Sequence, residues 1–222
     1  MSDTRFLLTT AERDVGRIAL LTMDNGEDHT RPTTFGASAL ASLHEALDEV
    51  EADDQLVGLL LTGKPFIFSV GADLTAFEGI SSAADAEEAG RRGHEAFARL
   101  QALEIPTLAA INGACMGGGL EIALHCDYRT LSTAAQVVAF PEVFLSIVPA
   151  WGGTQLAPRI VGAHNAVETI VTNALNNNRT MKPREAFEKG FADRFVDSAT
   201  FLDDSLALLE RLIAGQETIA RD

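Results

Sequence analysis

An apolar strand, an amphipathic helix and a second apolar strand follow one another in the first third of this chain, and that alternation restricts the fold most. Arg17 to Met23 is mostly apolar, and Val57 to Thr62 is a continuous apolar run. Between them, Ser38 to Ala52 sets Leu40, Leu43, Ala46, Leu47 and Val50 at helical spacing, with acids and a histidine on the other face. Strands joined through a helix pair in parallel by a right-handed crossover. The fold class is therefore α/β.

The pattern continues downstream. Gly71 to Gly79 reads as irregular with a short helical turn, and Ala83 to Leu103 as a long helix with a Glu/Arg face that Pro106 stops. Thr107 to Ile111 is strand-like, Gly117 to Cys126 a helix opened by three glycines, and Asp127 to Ser132 and Val137 to Phe140 short strands. From Thr154 onward the pattern is helical almost throughout, with Gly162, Gly190 and Gly215 at helix ends. There is no internal repeat or linker, so residues 1–222 read as one domain, a core over 1–160 followed by a helical region over 161–222. A chain of 222 residues buries enough surface to need no disulfide or metal staple.

A formal net charge of −15 argues against general binding to nucleic acid or anionic membranes. No apolar run approaches spanning length, and MSDTRFLLTT lacks the basic-then-apolar order of a secretory signal. Cys115 and Cys126 lie in apolar segments without framework spacing and read as free core thiols, which suits a reducing cytoplasm.

Three segments carry chemistry: Phe68 to Leu74 (FSVGADL), Ile111 to Asp127 (INGACMGGGLEIALHCD) and Ala139 to Gln155 (AFPEVFLSIVPAWGGTQ). In the first, a strand runs into Gly71-Ala72-Asp73 at the start of a helical turn, where backbone N–H groups lack internal acceptors. In the second, Gly117, Gly118 and Gly119 lead into a helix, so backbone can approach a ligand at a positive helix end. N–H groups from these two strand ends are suited to converge on one oxygen as it becomes negative, which is an oxyanion hole. Glu121 and Glu142 each sit among apolar neighbours. Facing one closed pocket, desolvation and mutual repulsion would keep one protonated and one ionised, the division that hydration of a double bond requires.

Together these segments resemble the enoyl-CoA hydratase/isomerase (crotonase) superfamily, from the strand at Arg17 to the helix end at Ala186-Phe187-Glu188-Lys189-Gly190. The resemblance implies a (ββα)-type spiral core, an oxyanion hole from the N–H groups of Ala72 and Gly118, and catalysis by Glu121 and Glu142. It also implies that Gly71, Asp73, Gly117, Ala150 and Trp151 line the substrate site. Because both acids are kept, the reading is an enoyl-CoA hydratase of fatty-acid β-oxidation. The alternatives are a double-bond isomerase, or a non-catalytic subunit of a multifunctional β-oxidation enzyme. Coenzyme A belongs to the substrate, and no separate cofactor or metal is expected. Arg31 and Lys64 are candidates for its phosphates.

The chain departs from the family pattern at Ala150, commonly glycine, and at Thr75, often lysine. Thr34-Phe35-Gly36, after Arg31-Pro32-Thr33, looks more like the hydratase half of bifunctional hydratase/3-hydroxyacyl-CoA dehydrogenases. The family continues for further helices beyond the one that follows Asp197, so the expectation is a shortened form. The apolar face of that last helix, Asp203 to Leu212, requires a partner surface. The resemblance implies what that surface is in the family, a homo-oligomer (a trimer or dimer of trimers), and it also implies a 3-hydroxyacyl-CoA dehydrogenase partner.

Glu121 and His125, four apart on one helical face, have a spacing that metal ligands use, but no third ligand is evident and His125 reads as a core histidine. The absence of GxGxxG, GxxxxGK[ST] and GxSxG motifs counts against dinucleotide, P-loop and serine-hydrolase chemistry.

Overall fold

Arg5–Arg13 (β1) and Gly16–Asp24 (β2) pair antiparallel as a hairpin closed at Arg13 and Gly16. The structure, a computed structural model, describes residues 3–220, apart from the side chains of residues 76–78. From β2 the chain crosses through Ala37–Ala52 (α1) into Leu56–Gly63 (β3), which lies parallel to β2 with Leu20 opposite Leu60. This is the crossover that the opening alternation dictates.

A ββα unit then repeats as a spiral. Its first turn contains β3, the short strand Ile67–Ser69 (β4), a 3₁₀ turn at Leu74–Gly79 and the helix Ala83–Ala102 (α2). The second contains Thr107–Ile111 (β5), Ala114–Met116 (β6) and Gly118–Leu124 (α3). The third contains Tyr128–Ser132 (β7), Val138–Ala139 (β8), a 3₁₀ turn at Glu142–Leu145 and Gly153–Val167 (α4). α4 is broken at Gly162, where φ is 78°. A π-helical turn, Glu168–Thr172, leads into Asn173–Leu175 (α5), and Pro183–Glu188 (α6), Arg194–Val196 (β9) and Phe201–Ile213 (α7) complete the chain. The long strands form one six-stranded sheet, ordered β1-β2-β3-β5-β7-β9, and the short strands a second sheet, β4-β6-β8. Each turn therefore donates one strand to each sheet before its helix returns the chain.

Two elements differ from the sequence expectation. β1 is an edge strand whose burial alternates only partly, with Thr9, Thr10 and Glu12 in it, so its apolar signal is weak. The C-terminal third is not wholly helical: β9 joins the main sheet beside β7, with Leu131 opposite Phe195, and Met181 bridges to Val138.

The larger apolar cluster lies between the sheets and α1, α2 and α3, and includes Leu21, Leu43, Leu61, Phe68, Phe97 and Leu120. The smaller one covers the other face of the main sheet, where Leu206, Leu208 and Leu209 of α7 pack on Ile18, Leu60 and Leu108. Burying a side chain of this size stabilises by roughly 1.5–3 kcal/mol. The apolar face of α7 is thus satisfied within its own chain, which removes it as the reason for an oligomer. Exposed apolar side chains gather elsewhere, at Phe144, Leu145, Ile147 and Val148 after the third turn, and at Val167, Val171 and Leu175. Cys115 and Cys126 are free and buried, and burial pushes both thiols up, Cys126 to about 12. Among the described residues no helix is long and apolar enough to cross a membrane.

Candidate active site

The spiral brings the ends of β4, β6 and β8 side by side, and the site is built where these ends run into their following turns. After β4, Phe35 pairs with Ala72 as an isolated parallel bridge: the Phe35 N–H donates to the Gly71 carbonyl at 2.8 Å, and the Asp73 N–H to the Phe35 carbonyl at 3.0 Å. In such a pairing the residue between turns its own N–H to the opposite side. The Ala72 N–H faces that way and has no acceptor among the described residues. After β6, Gly118 opens α3, and its N–H likewise has no acceptor among the described residues.

The two segments touch. Gly71 has φ of +91°, and a Cβ there would lie 2.7 Å from the Gly118 nitrogen and 2.9 Å from the Met116 carbonyl oxygen. Gly117 has φ of +53°, and a Cβ there would meet Glu142 Oε1 at 2.9 Å. These glycines are required both by backbone conformation and by the closeness of the second strand and the acid.

Glu121, 2% exposed, lies in the first turn of α3. Its Oε1 accepts N–H groups from Trp151 and Gly153, both at 2.8 Å. Glu142, 7% exposed, stands at the start of the 3₁₀ turn after β8, and its buried Oε2 has no hydrogen-bond partner. Burial raises the Glu121 carboxyl to about 7, opposed by the N–H groups of Gly153 and Trp151. Burial, and then the charge of Glu121, raises Glu142 to about 8. With two N–H donors on Glu121 against only its own backbone N–H on Glu142, Glu121 gives up its proton first and Glu142 holds its proton longer.

Trp151 packs its indole between two helices. A Cβ on Gly93 of α2 would fall 2.2 Å from the ring, one on Gly118 would fall 2.7 Å from it, and Nε1 donates to the Ala89 carbonyl at 3.2 Å. Phe35 and Phe97 complete the aromatic group. Ala150 is exposed and faces α2, its Cβ 3.8 Å from the Cβ position of Gly90. Asp73 is engaged locally, its Oδ1 accepting the Thr75 N–H at 3.0 Å and hydroxyl at 2.8 Å.

The structure thus brings together Gly71, Ala72, Gly117, Gly118, Glu121, Glu142 and Trp151. It does not bring Lys64 to them as a free cation. Lys64 is 3% exposed, and its Nζ donates to Asn25 Oδ1 and to the carbonyls of Glu27 and Asp28 at 2.9 Å and Arg31 at 2.6 Å. That ammonium ties down the 25–31 loop, and its donors are spent, so a phosphate-binding role does not fit. Arg31 sits on this loop with its side chain exposed, 3.8 Å from Glu27. Reading the sequence missed the Trp151 and Gly153 N–H groups that hold Glu121; the Gly152-Gly153 pair is the only trace they leave there. Among the described residues no cluster of three or more His, Cys, Asp or Glu side chains is placed to hold a metal ion.

The profile of the enoyl-CoA hydratase/isomerase family matches residues 15–222. The chain belongs to that family. The fatty acid oxidation complex subunit alpha of Shewanella amazonensis is 38% identical over 211 residues, which is 94% of this chain and 28% of that protein. The corresponding subunit of Shewanella halifaxensis is 38% identical over 208 residues, again across 28% of its length. The chain therefore spans little more than a quarter of these relatives. Among solved structures, Pseudomonas aeruginosa DspI is 34% identical with a TM-score of 0.79, covering 98% of this chain and 83% of that one. An enoyl-CoA hydratase from Bacillus anthracis is 25% identical with a TM-score of 0.80, covering 93% and 76%. The crotonase fold read from the sequence is the fold these solved structures share with the chain.

Proposed function

We propose that this chain adds water across the 2,3 double bond of a 2-enoyl-CoA thioester. The observation that carries the reading is the unequal pair of buried carboxylates, one held by two N–H groups and one with its Oε2 unpartnered, beside two backbone N–H groups free to bind an oxygen. In this mechanism the thioester oxygen lies between the Ala72 and Gly118 N–H groups, which stabilise the enolate as charge moves onto it. Ionised Glu121, fixed through Oε1, accepts a proton from water through Oε2 while the water oxygen bonds to C3. Neutral Glu142 gives its proton to C2. One water is added, and a proton passes from Glu121 back to Glu142 to reset the pair.

An isomerase would use Glu142 alone to move a proton between carbons and would leave Glu121 auxiliary; the two-donor anchoring of Glu121 favours a working base. The likeness to fatty acid oxidation subunits supports a place in β-oxidation, with a 3-hydroxyacyl-CoA dehydrogenase as the partner that takes the product. The deciding experiment follows the loss of crotonyl-CoA absorbance with Glu121→Gln and Glu142→Gln. Each should lower kcat by at least about 100-fold while CoA-thioester binding is kept. Near-wild-type hydration by Glu121→Gln would overturn the assignment of the base, and no hydration by the wild-type chain would overturn the hydratase.

A further inference from the structure

His125 ends α3 one turn after Glu121, and its surroundings are unusual for a core histidine. It is 2% exposed, and its Nε2 lies 2.9 Å from the Trp151 carbonyl oxygen. A carbonyl only accepts, so this nitrogen carries the hydrogen. Nδ1 is buried without a hydrogen-bond partner. The ring also presses on the next residue: a Cβ on Gly152, whose φ is +116°, would lie 2.5 Å from Nε2.

The peptide that His125 holds is the central one of three. The peptide before it contributes the Trp151 N–H, and the peptide after it contributes the Gly153 N–H, both bonded to Glu121 Oε1. Fixing the middle carbonyl fixes the plane of the peptide that joins the two donors, and so restrains how both N–H groups can turn. We propose that His125 is a positioning residue for the general base: as the neutral Nε2–H tautomer it orients the 151–153 turn so that two N–H groups meet on Glu121 Oε1 and Oε2 remains available for water.

The chemistry of the ring fits a fixed tautomer rather than a proton carrier. Protonating Nδ1 would place a charged donor where no acceptor exists. Burial holds His125 below the ordinary imidazole value, and His94 on α2, 6.0 Å away between ring centroids, adds to this. The other faces of the ring meet Phe97 of α2 and the 151–153 turn. Glu142 is the remaining titratable group coupled to Glu121.

The assignment rests on the hydratase reading for its kinetic consequence, so its test includes a readout that needs no turnover. His125→Leu removes the donor, whereas His125→Gln keeps an N–H near the place of Nε2. With 13C-labelled glutamate, the Glu121 carboxyl of the Leu variant should titrate at higher pH than in the wild type, by about half a unit or more. The Gln variant should return most of that difference. In hydration assays kcat should fall at least about tenfold in His125→Leu with KM changed less than about threefold, the acid limb moving to higher pH, and His125→Gln should recover it. An unchanged Glu121 titration in His125→Leu, or a Gln variant as impaired as the Leu variant, overturns the proposal. If His125→Leu does not fold, 15N spectra of labelled wild-type histidine decide: His125 must stay neutral with hydrogen on Nε2 from pH 6 to 9, and any other tautomer refutes it. A wild type without hydratase activity would refute the hydratase reading and leave the carboxyl titration arm intact.

Discussion

Replacing Glu142 by glutamine should make the protein inactive and, at high pH, more stable. Glu142 is almost fully buried, its Oε2 has no partner, and its carboxyl is raised from the ordinary 4.5 to about 8, first by burial and then by Glu121. The folded value lies above the unfolded one. Between about pH 4.5 and about pH 8 the native chain therefore keeps a proton that the unfolded chain has released, and stability falls as pH rises through this window. Moving a carboxyl over that interval corresponds to at most about 5 kcal/mol. Relaxation and water entry around the buried group lower this, and about 2–4 kcal/mol is the expected gain for the variant at pH 9. At pH 5, where both side chains are neutral and of the same shape, the two proteins should agree within about 1 kcal/mol. Urea unfolding at unit steps from pH 5 to pH 9 measures the difference directly. The variant retains a shallower decline from Glu121, raised to about 7. Stability curves for wild type and variant that run parallel across the whole window would refute the claim that Glu142 is held protonated by the fold.

Gly71→Ala places a Cβ 2.7 Å from the Gly118 nitrogen at a φ of +91°, so kcat should drop at least about 100-fold and stability by about 1–3 kcal/mol; unchanged turnover would sink the two-donor site. Lys64→Met removes one donor shared by four acceptors and should destabilise by about 3 kcal/mol in urea unfolding, with KM for acyl-CoA altered less than about twofold. A tenfold rise in KM at unchanged stability would restore the phosphate role. The solution mass, by light scattering, should be that of a trimer of the 23.7 kDa chain, its contact formed by the exposed group from Phe144 to Val148. A monomer whose mass is unaffected by Phe144→Asp and Val148→Asp together would show that this patch does not join copies.

The central spiral was legible because its strands are buried on both faces and read as apolar runs, as at Leu59, Leu60 and Leu61. β1 and β9 were not, the first because an edge strand carries polar residues, the second because three residues are too few for a period. Glu121 and Glu142 stood out since a carboxylate is rare among apolar neighbours. The turn that anchors Glu121 was invisible for the opposite reason: its donors are backbone N–H groups, which every residue but proline possesses. Lys64 was misread because a charge in a sequence defaults to the surface, and only the folded 25–31 loop supplies the oxygens that bury it.

The spiral also separates what the chemistry must conserve from what it can vary. One strand end supplies Ala72, the next Gly118 and Glu121, and the third Glu142, and the short sheet alone sets their spacing. The helices carry these groups only in their first turns, and beyond them return the chain to the next shelf. α2 meets the site through Gly93 and Phe97 against Trp151 and through His94 against His125, and supplies none of the donors or acids, so the rest of its surface can drift without moving them. A fold organised this way evolves new substrates by rewriting connections, with the reacting groups left in place.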